Sequence, residues 1–341
     1  MFLGIEIGGT KLQLGVGTGR DADLAALVRH DVDPTRGAAG ILEEIERSAT
    51  ALLQKHPIQR IGFGFGGPCD SVTGVVTKSH QVGGWEGFPL AAWSRESLGK
   101  PAVIGNDCDV GALAEARLGA GRGAASVFYV TVGTGIGGGL VVGGQRFGAW
   151  RPAIAEIGHL RPGLLADRAD MTVESLAAGP GIAAAAVARM TGVARPLDTL
   201  RNATGPTTRA DMRRRLFDVK QTEEEYIADL LQRAGGDADQ LTAKLVAQAA
   251  AEGNAIACEV LDHACQALGW AIAQVITLVA PEVVVVGGGV SLIGEQFFFA
   301  LLRAEVARYV FPPLAGSFRL VPAGLGELAV VHGALALAGE Q

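Results

Sequence analysis

Two carboxylates stand beside turns of bare backbone. Asp107 closes the apolar run PAVIGND (101–107), and Glu6 lies just ahead of the turn Gly8-Gly9-Thr10-Lys11. Glycine turns that carry a hydroxyl aim backbone N–H groups at phosphate oxygens, and Lys11 adds positive charge. A second such turn, GTG at 133–135, offers Thr134 and Gly135. A third, with Gly287 and Gly288, would let a flat group lie against the backbone. None of the three matches GxxxxGK[ST] or a strand-led GxGxxG. A carboxylate at a strand end facing a cleft is where an alcohol proton would be taken in phosphoryl transfer, so Asp107 is the expected base. Glu6 is placed to reach Mg²⁺, directly or through water. The alternative for Asp107 is N-cap of a helix over 109–121, a task for which Asp109 is also available. A further group lies in EIGHLRPGLLADRADMTVESL (156–176), with Glu156 and His159 three apart and Glu174 following. These are either surface polars or the polar end of a binding site.

The elements that must position these residues follow from the apolar pattern. FLGIEI (2–7) predicts a strand that returns as LQLGVG across the glycine turn. A helix is expected over 38–55, strands over 61–68 and 101–107, and a helix over 109–121. SVFYVTVGTGIGGGLVVGGQ (126–145) reads as a second hairpin over a glycine turn. Helical spacing runs to about 190. A long helical pattern over 241–280 leads into the strand EVVVVGGG (282–289), and VVHGALALAG (330–339) closes the chain as a helix. The stretch 195–240 is polar and charged and reads as an exposed insertion with one or two helices. Its Arg213, Arg214 and Arg215 fit a solvated face better than a site. Glycine-ended strands in both halves suggest two lobes of one design facing a cleft.

Composition bounds the rest. The 341 residues suffice for two cored lobes, and 49% hydrophobic with 19% charged residues describes a globular chain. A net charge of −6 gives no electrostatic reason to expect nucleic acid. Cys69, Cys108, Cys258 and Cys265 are scattered and match no metal clip or disulfide framework, so a reduced, cytoplasmic setting is expected. The apolar stretch 267–289 is broken by Pro281 and Glu282, which argues against a membrane span, and no targeting segment opens the chain.

With these motifs in order, the chain resembles the ROK family of sugar kinases and related repressors, within the actin-like ATPase superfamily. The resemblance rests on GIEIGGTK (4–11), GFGGPCDSVTGVV (64–76), GNDCDVGALAE (105–115), VTVGTGIGGGLVVGG (130–144), EIGH (156–159), VESLAAG (173–179) and VVVVGGGVS (283–291). It leaves out only about 190–245. It implies an α/β, two-lobed, ribonuclease H-like fold with a duplicated βββαβα-type core and a nucleotide cleft between the lobes. Residues 1–117 would form the N-terminal lobe, with a helix from about 328–341 packing back on it. Residues 118–327 would form the larger lobe. The resemblance further implies ATP and Mg²⁺ in the cleft and a hexose deeper within it. Asp107 resembles the catalytic base. Gly67, Asn106, Glu156, His159 and Glu174 resemble sugar ligands, as does Gln81 where the family commonly has asparagine. Gly8, Gly9, Thr10 and Lys11 match the first phosphate motif, Thr134 and Gly135 the second, and Gly287 and Gly288 the adenosine motif. A homodimer is common in the family.

The departures are informative. The family's zinc motif, CxCGxxGCxE, should precede Glu174, but the sequence there is RPGLLADRADMTVE, with Thr172 at the last cysteine's place. Structural zinc needs four soft or imidazole ligands, and His159 alone cannot hold it. No zinc site is expected, and Asp167 or Asp170 is the expected partner that fixes the His159 ring. Glu6 stands where many members have aspartate. The chain starts at its first strand without a helix-turn-helix segment, which disfavours the repressor branch. The expected function is ATP-dependent phosphorylation of a hexose, glucose-like or an N-acetyl or amino hexose, at the 6-hydroxyl. The alternative is a catalytically weak or inactive regulatory protein that binds sugar or nucleotide. A carboxylate or other non-sugar substrate is disfavoured by the EIGH…VESL spacing.

Overall fold

The computed structural model describes residues 1–79, 81–148, 150–151, 153–162, 170–192 and 222–340. Its frame is two five-stranded sheets. The first contains β1 (Phe2–Ile7), β2 (Lys11–Gly17), β3 (Leu24–Asp31), β4 (Arg60–Phe65) and β5 (Ala102–Asn106) in the order β3-β2-β1-β4-β5. The second contains β6 (Ser126–Val132), β7 (Ile136–Val142), β8 (Gln145–Arg146), β9 (Val283–Gly287) and β10 (Arg319–Pro322) in the order β8-β7-β6-β9-β10. The two plans are the same: an antiparallel three-strand meander, then two parallel additions on the far side of its first strand. The central strands are buried along their length, as runs such as VVVVG require.

Helices cover the sheets. α1 (Gly37–Lys55) lays Ile41, Ile45, Ala49 and Leu52 on the first sheet, one face of a 3.6-residue period. α2 is Leu90–Ser97, and α3 is Asp107–Arg117. Beyond β8 come α4 (Val173–Ala177), α5 (Gly179–Met190), α6 (Glu223–Arg233), α7 (Ala243–Ala251), α8 (Ala255–Val279), α9 (Ala300–Tyr309) and α10 (Ala329–Ala338). α10 packs on β1, β4 and α3, while α3 also packs on β6 and β7. Those two helices therefore join the sheets, around a shared core of Val110, Leu113, Val127, Tyr129, Val285 and Leu337. At their crossing a side chain on Gly333 would overlap the Val110 carbonyl. Only glycine lets the two backbones approach so closely.

Several elements differ from the sequence reading. Residues 24–31 form a third strand, with inner and outer residues alternating, that the pattern did not reveal. The helix expected over 109–121 begins at Asp107 and ends at Arg117. The pattern over 241–280 is two helices, because Gly253 takes a φ of 96° and Asn254 caps the second by accepting from the Ala257 N–H at 3.1 Å. α9 and β10 were likewise not foreseen. Part of the insertion, Arg213–Arg215 included, lies outside the described residues, and its described end carries α6 behind a Thr222–Glu225 capping box. No helix among the described residues is long and apolar enough to cross a membrane.

Candidate active site

Strand register builds one half of the site. Across the first sheet Ile7, Phe65 and Asn106 stand at one level. The next residues on those strands, Gly8, Gly66 and Asp107, must then converge. A Cβ built on Gly66 would lie 3.5 Å from the Gly8 Cα and 3.6 Å from Asp107 Oδ2. The proposed base thus sits against the first glycine turn, at the carboxyl ends of parallel strands.

Asn106 is the N-cap of α3. Its Oδ1 accepts from the Cys108 N–H at 2.8 Å and the Asp109 N–H at 3.3 Å, and its Nδ2 donates to the Gly67 carbonyl at 3.1 Å. This corrects the sequence reading, in which Asp109 was available to cap the helix. The cap releases Asp107 all the same, and Asn106 pins Gly67 beside it. Asp107 Oδ1 accepts from the Cys108 N–H at 2.8 Å. Burial raises its pKa to about 6, against the Cys108 hydrogen bonds, which lower it, while the Glu156 charge adds to the rise.

Glu6 is 5% exposed and heavily engaged. Its Oε1 lies 3.2 Å from Lys11 Nζ, and its Oε2 accepts from Gln13 Nε2 at 2.7 Å. Burial raises its pKa, against Lys11 and Gln13, and Asp107 contributes a smaller rise. Lys11 and Gln13 also reach the Glu327 carbonyl, at 3.5 and 3.1 Å. Thr10 is exposed at the tip of the turn. The Gln81 amide lies across Gly9, so that any side chain at Gly9 would overlap it. Trp85, fully buried, holds the following segment between Phe65 and Phe88, with ring centroids at 5.1 and 5.4 Å.

The second sheet supplies the opposing half. Glu156 precedes the single 3₁₀ turn Ile157–His159, and burial raises its pKa, with His159 acting against this and Glu174 with it. Glu174, in α4, accepts from the Ile136 N–H through Oε2 at 2.7 Å, which fixes its carboxylate on the Thr134-Gly135 turn. Gly133 receives the Gly179 N–H of α5 at 2.8 Å. The third glycine element meets the same turn. Gly288 has a φ of 86°, and a Cβ there would stand 2.5–2.7 Å from Val132 backbone atoms. Gly287 faces the Tyr129 hydroxyl. Charge interactions therefore run from Glu6 to Asp107, to Glu156, and on to His159 and Glu174.

Gln13 and Arg146 were not anticipated, and Asp109 was expected only as a helix cap. Gln13 is the cross-strand partner of Glu6, so hairpin register could have identified it. Asp109 is 6% exposed, and its Oδ1 has no hydrogen-bond partner. Burial raises its pKa to about 7, against the Arg146 charge, with Asp107 and Glu156 adding to the rise. Arg146 Nη1, also buried without a hydrogen bond, lies over Gly105, a long-range placement with no local signal.

The donor chemistry separates two metals. The hard carboxylate oxygens of Glu6 fit Mg²⁺, which takes one or two carboxylates and completes its shell with phosphates and water. For zinc, all four cysteines are buried, Cys108 directly beside Asp107, and among the described residues, which leave out 163–169, no group of three or more His, Cys, Asp and Glu is arranged to hold a metal ion. Asp167 lies outside the described residues, and its pairing with His159, like that of Asp170, stays a proposal.

A model of the ROK family matches residues 2–341. A glucokinase of Halalkalibacterium halodurans is 30% identical, over 97% of this chain and 93% of its own length. A glucokinase of Thermotoga maritima is 28% identical, over 100% and 98%. The crystal structure of a ROK family glucokinase from Streptomyces griseus, in complex with glucose and AMPPNP, superposes with a TM-score of 0.77 at 27% identity, covering 99% of this chain and 98% of that one.

Proposed function

The chain belongs to the ROK family, and on that premise we propose that it is an ATP-dependent hexose kinase with Asp107 as general base. The observation that carries this is the position of Asp107, buried against the first glycine turn and within the influence of the Glu156 charge. Phosphoryl transfer needs little covalent help from the protein, so positioning and charge do most of the work. Gly67, Asn106, Glu156, His159 and Glu174 hold the sugar, with Gln81 at the edge. The 6-hydroxyl gives its proton to Asp107 as its oxygen forms the new bond to the γ-phosphorus, and the bond from that phosphorus to the bridging oxygen breaks to release ADP. A carboxylate near pKa 6 is ionised at neutral pH yet more basic than an exposed one, which suits the task.

Gly8–Lys11 and Thr134–Gly135 cradle the phosphates, and Gly287–Gly288 lie against the adenosine. Mg²⁺ would be held by Glu6, directly or through water, and would neutralise phosphate charge. Lys11 then has to share Glu6 with the metal or turn toward phosphate. The division of the chain is read as residues 1–117 and 118–327, with 328–341 returning to the first unit. The substrate is glucose-like or an N-acetyl or amino hexose, and the site works without zinc.

A second reading is a sugar- or nucleotide-binding regulator that has lost turnover. The Gln81 amide across Gly9 and the cysteine-free approach to Glu174 favour it. Coupled ADP release with MgATP across hexoses, N-acetylhexosamines and fructose, with and without a strong zinc chelator, separates the two. The kinase reading expects turnover on at least one sugar, unchanged by the chelator. Binding of a sugar with no ADP release on any of them would support the regulator instead.

A further inference from the structure

Ile136 is gripped from both sides by segments assigned to the sugar. Its N–H donates to Glu174 Oε2 at 2.7 Å. Its carbonyl faces Gly158, between Glu156 and His159, so closely that any side chain at Gly158 would overlap it. The two segments are tied to each other as well, through the Val173 N–H to the Leu160 carbonyl at 2.8 Å. Ile136 is also the first residue after the phosphate turn. That turn is closed by the Gly133 N–H on the Gly135 carbonyl at 2.9 Å and anchored to α5 through Gly179. A Cβ on Gly135 would stand 2.7 Å from Glu174 Oε2, so the carboxylate lies directly across the turn.

We infer that Glu174 couples the two substrates, one carboxylate oxygen fixing the phosphate turn through Ile136 while the other takes a sugar hydroxyl. This rests on the reading of Glu174 as a sugar ligand and adds a second task to it. Sugar at Oε1 holds the carboxylate in place and so holds the Ile136 N–H. A turn ordered in this way receives nucleotide phosphates without a further ordering cost, which is positive linkage between sites. By reciprocity, nucleotide must tighten sugar to the same degree. One consequence is order of assembly: the phosphate turn, already closed without ligand, is held most firmly when the acceptor is present, which restrains transfer to water.

Calorimetry tests this in the whole protein. The affinity of Mg–AMPPNP is measured with and without the hexose that gives the fastest ADP release. Wild type should show a coupling of about fivefold or more, in the usual range for linked sites. Gly135→Ala places a methyl against the carboxylate and should bring the coupling to about one, whereas Glu174→Gln, whose amide oxygen can still accept from Ile136, should weaken sugar binding yet keep coupling. Amide hydrogen exchange on wild type gives a reading independent of any variant: sugar alone should slow the Ile136 N–H. Independent binding of the two ligands, unaltered Ile136 exchange, or wild-type coupling in Gly135→Ala would overturn the inference. A protein that binds no hexose would overturn the kinase reading itself, a distinguishable result.

Discussion

Asp107 occupies the first position of α3, where the helix dipole favours an anion and the Cys108 N–H bonds it, yet burial wins and its pKa rises to about 6. The sign of the pH effect follows. A base works only when ionised, so kcat/KM with the best sugar should hold above about pH 6 and fall tenfold per pH unit below it. A profile flat down to pH 4.5 would remove Asp107 from that role. The burial of Asp107 beside the first glycine turn was legible because it closes an apolar strand just ahead of a helix. The cap was misjudged, since Asn106, Asp107 and Asp109 are all competent N-caps by type and the helix starts two residues earlier than its apolar pattern placed it. Gln13 and Arg146 were missed for a different reason. Their roles are set by a partner across a hairpin for Gln13 and by a strand of the other sheet for Arg146, not by neighbours in sequence.

At the scale of elements, α3 is held at both ends. Asn106 fixes its start, and Glu115, fully buried near its end, accepts from the Ala120 N–H at 2.8 Å, the Gly324 N–H at 3.0 Å and the Leu325 N–H at 2.9 Å. One carboxylate thus ties α3 to the loop that leads into α10. Glu115→Ala would leave three backbone donors without their partner, and it should lower stability by about 3 kcal/mol, read from urea unfolding. A loss within experimental error would mean that the loop finds other acceptors. Glu115 drew no notice in the sequence, where it looks like an ordinary helix carboxylate. β3 was missed because its eight residues alternate inner and outer positions with Val28 as their one β-branched side chain, while β1, β6 and β9 were plain from apolar runs ending in glycine.

At the scale of the whole molecule, the duplicated plan was legible because each half places glycine turns after its central strands, and the actin-like two-lobed α/β fold is borne out by the matching strand orders and by the Streptomyces griseus structure. The crossing of α3 and α10 was not legible, since Gly333 meeting Val110 joins residues far apart in the chain. That crossing matters for function. α3 carries Asp107 and packs on both sheets, so this carboxylate, proposed as the base, is fixed relative to both glycine-turn systems at once. The central claim is that this placed carboxylate drives phosphoryl transfer to a bound sugar, and Asp107→Asn tests it most directly because the shape of the site is kept. Turnover by ADP release and hexose affinity by calorimetry would be measured on the same preparation. The prediction is a fall in kcat of about 100- to 10,000-fold with hexose affinity close to wild type. Near-wild-type turnover in Asp107→Asn would contradict the account.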